Sequence, residues 1–392
     1  MYLIVSFLRL VTFLFFGFQV LYALLTLVLW VGWLRTPSFK LKPGWVPQVR
    51  ISVVVVVRNE EDNLPALLRS IGCQTYLTHL YEVLVVDDFS TDATVDLIRS
   101  WQASAPFSLQ LIELKDHITS HLADGAFKKK AIDLAVRQSA GELIVTTDGD
   151  CLVSENWLMA IAQLYAQTQA QMICGGVTFS VPEDTIFSRL QTIEFASLIG
   201  SGAATLRFGV PTMCNAANLA FTKAAFMSVG GYRDTASTAT GDDLFLMHKI
   251  HQAFPVKVFF LKNADAVVHT QPPPTVGAFY QQRKRWASKW NLYRDWRVSG
   301  LALFVFLSNL ALLAGVLAAI TQTLPLGMFF VGILLRWAIE WLFLSNLLVF
   351  LRKPRLLGWI PMVQWIYPLY VVFFGLVVQK KGYHWKDRKL KG

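Results

Sequence analysis

Residues 51–57 read ISVVVVV, residues 82–88 read EVLVVDD and residues 142–150 read ELIVTTDGD. Continuous runs of β-branched and aliphatic residues are expected of strands buried on both faces of a mostly parallel sheet. Between these runs the period changes from strand to helix. Leu64, Leu67, Leu68 and Ile71 recur at helical spacing after the turn Asn59–Asn63. Asp92 stands where an N-cap would open a helix over 93–101, and Ile132, Ala135 and Val136 share one face of a helix over 128–139. Leu109 to Leu114 reads as a further strand, and Ser154-Glu155 as a helix start before Trp157 to Tyr165. Strands alternating with helices predict an α/β, doubly wound, Rossmann-like sheet.

Acidic residues gather at the carboxyl ends of these strands, where ligands of open α/β sheets bind. They are Asp87-Asp88 and Asp148-Gly149-Asp150, followed later by Asp242-Asp243. The chain carries 36 Lys+Arg against 26 Asp+Glu, a formal charge of +10, so charge balance does not demand such clusters. Turn and cap chemistry accounts for Asp92 and Asp96. A glycine between two carboxylates after a buried strand lets both reach one hard cation, the way Mg²⁺ or Mn²⁺ is held beside substrate phosphates. Cys73, Cys151, Cys174 and Cys214 form no CxxC pair and read as small buried hydrophobes in a reducing compartment.

The ends of the chain are of another kind. Hydrophobic residues make up 54% of the sequence and the mean hydropathy is +0.44, too high for a soluble enzyme. Leu10–Leu34, Leu301–Gln322, 326–350 and 356–378 each approach or exceed the ~20 residues that cross a bilayer as a helix. The first run is longer than a signal peptide's core and no small-x-small cleavage site follows, so an uncleaved anchor over 1–36 is expected. Cations cluster beside the apolar runs, at Arg283–Arg297, Arg352–Arg355 and Lys380–Lys391, which predicts attraction to anionic lipid rather than to nucleic acid.

The order of NEEDNL (59–64), VVDDFSTD (85–92), KKKAIDLA (128–135), TTDGDC (146–151), NLAF (218–221), VGGY (229–232), GDDLFL (241–246) and QRKRW (282–286) resembles the membrane-bound inverting glycosyltransferases of family 2. That resemblance implies a GT-A domain over 49–270, an interfacial helix over 271–300 and a membrane region with a basic tail over 301–392. It implies that Glu60 and Asp88 contact the nucleoside, with Asp88 favouring uracil. Lys128 would approach the diphosphate, its neighbours Lys129 and Lys130 leaving the register open by one or two positions. Asp148 and Asp150 would hold Mg²⁺ or Mn²⁺, and Asp243, preceded by Asp242 where the family has glutamate, would be the general base. Gln282, Arg285 and Trp286 would serve the diphosphate or the acceptor. One base without a covalent intermediate implies direct displacement with inversion, the acceptor being a lipid or a glycan.

Several features stay open on sequence. Phe279, Gln282, Trp286, Trp290 and Tyr293 define an aromatic helical face, with Arg283, Lys284, Lys289, Arg294 and Arg297 mostly on the others; the helix lies on the membrane and also serves the site. His269 reads as a structural residue at a strand end, with metal ligation as the alternative. Pro272–Pro274 is a stiff connector. Arg336 and Glu340 either pair with each other or mark a lipid or sugar pathway. Cytosolic nucleotide sugars put the middle domain at the cytosolic face, in a bacterial inner membrane. Three full C-terminal spans would then export the basic tail against the positive-inside tendency, so Pro361 and Pro368 are expected to break the last segment into a re-entrant hairpin. A processive polysaccharide synthase, its channel completed by oligomerisation or an accessory subunit, and a non-catalytic scaffold of the same fold are the competing readings.

Overall fold

The computed structural model describes residues 2–118, 127–180, 185–233, 241–287, 296–377, 383–385 and 388–390. Trp290 and Tyr293 lie outside these, as do the side chain of Asp242 and most of the basic tail. In chain order the first elements are α1 (Tyr2–Arg35), β1 (Ile51–Val57), α2 (Leu64–Gly72), β2 (Tyr81–Asp87), α3 (Thr94–Gln102), β3 (Ser108–Glu113), α4 (Phe127–Gln138), β4 (Leu143–Asp148) and α5 (Trp157–Thr168). Then come β5 (Met172–Gly175), β6 (Val177–Phe179), α6 (Ile186–Arg207), β7 (Leu219–Thr222), α7 (Lys223–Ser228), α8 (Asp242–Ala253), β8 (Val258–Leu261), β9 (Val268–Thr270) and α9 (Val276–Ala287). The chain closes with α10 (Trp296–Ile320), α11 (Leu326–Phe350), α12 (Ile360–Val377) and a short hairpin, β10 (Tyr383–Trp385) and β11 (Arg388–Leu390). Two compact units result: a helical one of Met1–Arg35, Glu183–Val210 and Pro274–Lys381, and a sheet unit of the remainder.

Among the described residues the main sheet of this unit has seven strands in the order β3-β2-β1-β4-β7-β5-β8, and β6 pairs with β9 in a second, two-stranded sheet. All neighbours run parallel except β7, which is antiparallel to both β4 and β5. This is the mostly parallel α/β sheet expected. The register sets Val57 of β1 opposite Asp87 of β2, and Val56 opposite Asp148 of β4, so the acidic ends of β2 and β4 flank the end of β1. α2 buries Leu64, Leu67, Leu68 and Ile71, the residues at helical spacing.

Two helix starts differ from the reading of the sequence. Asp92 does not cap α3: its Oδ1 accepts from Thr94 N at 3.1 Å and Thr94 Oγ1 at 2.6 Å, and the cap residue is Ala93. A side chain that bonds two residues on forms an Asx turn, which competes with the cap. Asn156, rather than Ser154 or Glu155, precedes α5.

Among the described residues the helical unit contains four helices long and apolar enough to cross a bilayer, as in an integral membrane protein: Arg9–Arg35, Trp296–Ile320, Leu326–Phe350 and Pro354–Val377. The expected break in the last of these is absent. α12 runs unbroken from Ile360 to Val377 after a 3₁₀ turn at Pro354–Trp359, with Pro368 inside it. Pro361 falls in the first turn, where an N–H has no intrahelical acceptor in any case, and Pro368 is of the kind membrane helices accommodate through their neighbours. α6 lies within residues 175–215, a stretch whose sequence reads as loops. Thr185 caps it reciprocally with Ser188, a capping box with serine where Glu or Gln is the usual signal, and its Ser, Gly and Thr residues blur the helical period.

Candidate functional site

The loops after β1 and β2 are laced into one surface. Arg58 donates to the carbonyls of Asp88 and Phe89 at 2.8 and 2.6 Å, and Asn59 Oδ1 accepts from Thr91 N at 2.8 Å. Glu60 N–H donates to Thr94 Oγ1 at 2.8 Å, and Glu61 accepts from Ala93 N at 2.7 Å. Asn59 and Phe89 take left-handed backbone, at φ 51° and 56°. The mesh leaves Glu60 buried, with Oε2 accepting from Asn63, and Asp88 wholly buried, its N–H donating to Val57 O. Burial pushes the Asp87 carboxyl above the ordinary range, while hydrogen bonds from Ser90 pull it back.

Asp148 ends β4, and Lys128 in the first turn of α4 reaches it at 2.6 Å. Of the three consecutive lysines Lys128 meets the DGD motif. Lys129 is buried with its ammonium over the Phe245 ring at 5.1 Å, and Lys130 lines a separate groove with His117 and Arg137. Asp150 accepts from Thr270 Oγ1 at 3.2 Å, and the backbones of Leu152 and His269 pair just beside it. His269 therefore fixes the strand that brings Thr270 to Asp150. Gly149 is required for space: a Cβ there would lie 2.9 Å from Val57 and 3.1 Å from Glu60. Cys151 is buried beside both carboxylates. Burial first, then the negative charges of Asp150 and Asp148, push its thiol up, so it is not a thiolate nucleophile.

Asp243 stands in the first turn of α8, its Oδ1 accepting from Leu244 N at 2.8 Å. Gly241 opens the helix at φ 80°, a conformation natural to glycine.

Gln282, Arg285 and Trp286 lie on α9, in the helical unit. Arg283, expected on an outward basic face, is instead 2% exposed and paired with Glu194 of α6. Its guanidinium lies 4.6 Å from the Phe279 ring centre and 4.3 Å from that of Trp286. Gln282 accepts from Arg283, and Trp286, expected to stack on an acceptor, stacks on Phe195 at 5.7 Å. The unforeseen partner, Glu194, explains the inversion: a buried carboxylate draws the arginine inward. Sequence reading also missed Thr270 and Asn218. Asn218 is buried, accepts from Trp157 and donates to the carbonyls of Gly176 and Ala266, tying the strands beneath the site; its place in NLAF was the one available signal.

Among the described residues no three His, Cys, Asp or Glu side chains form a ready-made metal cluster. The hard oxygen donors at hand are Asp148, Asp150 and Thr270. Mg²⁺ is commonly held by one or two carboxylates, with water and substrate phosphate completing the shell. The donor set therefore fits a divalent ion that binds together with a diphosphate.

Similarity to known proteins identifies the family and the fold. Residues 52–230 match the model of glycosyl transferase family 2, and residues 143–378 that of glycosyl transferase family group 2. The chain belongs to glycosyltransferase family 2. It is 31% identical over 132 residues to glycosyltransferase AglE of Haloferax volcanii, covering 34% of this chain and 40% of that protein. It is 25% identical over 240 residues to poly-beta-1,6-N-acetyl-D-glucosamine synthase of Staphylococcus aureus, covering 60% and 53%. The chain thus spans about half or less of the length of these relatives. The mannosyltransferase PcManGT from Pyrobaculum calidifontis, solved with GDP-Man and Mn²⁺, shares the fold at a TM-score of 0.55 and 20% identity, over 94% of this chain and 99% of that one.

Proposed function

We propose that the protein is an inverting glycosyltransferase, moving a sugar from a nucleoside diphosphate, UDP by preference, to a lipid or saccharide acceptor at the cytosolic face of a bacterial inner membrane. The observation that carries this reading is the convergence of Glu60, Asp88 and the Lys128–Asp148 pair, with Asp150 alongside, at the carboxyl ends of three adjacent parallel strands. Asp88, held in a wholly buried position, is a fixed acceptor for a base N–H. Lys128 offers its ammonium to the diphosphate. Asp148 and Asp150 would hold Mg²⁺ or Mn²⁺, which when bound would supply positive charge to the leaving diphosphate. Asp243 takes the proton of the acceptor hydroxyl as its oxygen attacks the anomeric carbon. The bond from that carbon to the diphosphate oxygen breaks, and a single displacement inverts the centre. Gln282, Arg285 and Trp286 are assigned to the diphosphate and acceptor on motif order.

Purified protein in lipid nanodiscs, given Mn²⁺ and a panel of nucleotide sugars with membrane lipid extract, is expected to release nucleoside diphosphate from one donor. EDTA and Asp243→Asn should each abolish release. Silence with nucleotide binding intact would point to an acceptor the extract lacks, and silence without nucleotide binding would favour the scaffold reading. The similarity to a poly-N-acetylglucosamine synthase over 240 residues favours a second reading, repeated transfer to a growing chain; product length in the same assay separates the two.

A further inference from the structure

The helical unit holds a partly open cavity of about 80 Å³ between α1, α6, α11 and α12, enough for several waters. Its wall is polar for a place among membrane-spanning helices. Glu194, Ser197 and Ser201 come from α6, Glu340 from α11, and Gln364 and Tyr367 from α12. Ionisable groups in such surroundings are costly and mark substrate or ion pathways.

The two arginines that balance these carboxylates do not line the cavity. Arg283 pairs with Glu194, and Arg336, 1% exposed, pairs with Glu340 at 3.3 Å while also donating to Asn309 at 2.7 Å and Gln19 at 3.4 Å. Glu194 accepts a further bond from Tyr370 at 3.0 Å, and Glu340 one from Gln364 at 3.1 Å. A carboxylate accepts about four bonds, so both retain capacity. In the same network Gln19 is wholly buried with its Nε2 unpartnered, donor capacity that the described residues leave unused.

We propose that this cavity binds the hydroxyls of a neutral, polyhydroxylated headgroup, and that it does so in preference to a phosphate. The inference rests on the transferase reading and narrows its acceptor to a sugar- or glycerol-headed lipid or a glycan. Hydroxyls donate to the carboxylates and to Gln364 Oε1, whose amide hydrogens are already given to Trp337 O and Glu340, and accept from the Ser201 and Tyr367 hydroxyls, so one ligand chemistry uses both halves of the wall. A phosphate brings one to two negative charges to a surface whose formal charges are two carboxylates. A bare cation uses only the carboxylates and leaves the hydroxyl donors of the wall without an acceptor.

The test uses the full chain in phosphatidylcholine nanodiscs, with dodecyl glucoside and dodecyl phosphate as probes of equal chain length. The thermal midpoint is read for each, and separately with UDP and Mn²⁺. Dodecyl glucoside is expected to raise the midpoint saturably by several degrees and dodecyl phosphate to leave it unmoved. Ser201→Phe, which fills the cavity, should erase the glucoside response and keep the UDP response. Ser197→Leu serves if the phenylalanine variant does not fold. A phosphate response equal to or above that of the glucoside overturns the inference, as does a glucoside response that survives in both variants. A response to sodium over choline without one to glucoside identifies a cation site and overturns it too. Loss of the UDP response in the unaltered chain counts against the transferase reading instead, so the two failures are distinct.

Discussion

Two kinds of carboxylate–cation pair divide this molecule. In the sheet unit Lys128 and Asp148 meet with side chains 27% and 36% exposed. In the helical unit Arg283–Glu194 and Arg336–Glu340 are at most 12% exposed, and each is tied to further polar partners. An exposed pair contributes little to stability and can exchange partners. A buried pair is fixed, because removing one member strands the other in a low dielectric. The first kind suits a place where a diphosphate and a cation come and go, and the second suits a scaffold.

The largest expected effect lies in the chemistry. Asp243→Asn should lower transfer by ~10²–10⁴-fold, the usual worth of a general base, with nucleotide affinity unchanged in a binding titration; equal loss of both would make Asp243 a binding residue. Next comes the buried pair. Arg336→Leu leaves Glu340 uncompensated and should destabilise the protein by ~3–5 kcal/mol, read as a fall in the detergent melting midpoint. The double change with Glu340→Leu should recover most of that loss, and a double variant no better than the single would deny the coupling. Gly149→Ala sets a methyl against Val57 and Glu60 and should cost about 1–3 kcal/mol, as overpacking does, together with metal-dependent activity. The smallest stability effect is expected of Lys128→Ala, within about 1 kcal/mol. Its KM for the donor should still rise, and a large loss of stability with donor KM unchanged would make this pair structural after all.

What could be read in advance followed from local chemistry. The strands β1 to β4 and the helices α2 to α5 appeared within three residues of their observed bounds, because burial on both faces and on one face leave periods of different kind. Asp88, Asp148 and Asp150 were singled out because acids at the ends of buried strands are conspicuous. Glu194, Thr270 and Asn218 were not, since each acts on partners 42 to 176 residues away and looks ordinary among its neighbours.

The sequence by itself determined the alternation of strand and helix, the four apolar segments and the place of the acids at strand ends, since propensity and periodicity are local properties. Tertiary structure alone decided that Arg283 turns inward, that α12 stays whole across Pro368, that Gly149 is needed for space and that polar residues from four helices share one cavity. Each of these depends on a neighbour supplied from a distant part of the chain, and it is the desolvation and packing such a neighbour imposes that no window of sequence contains.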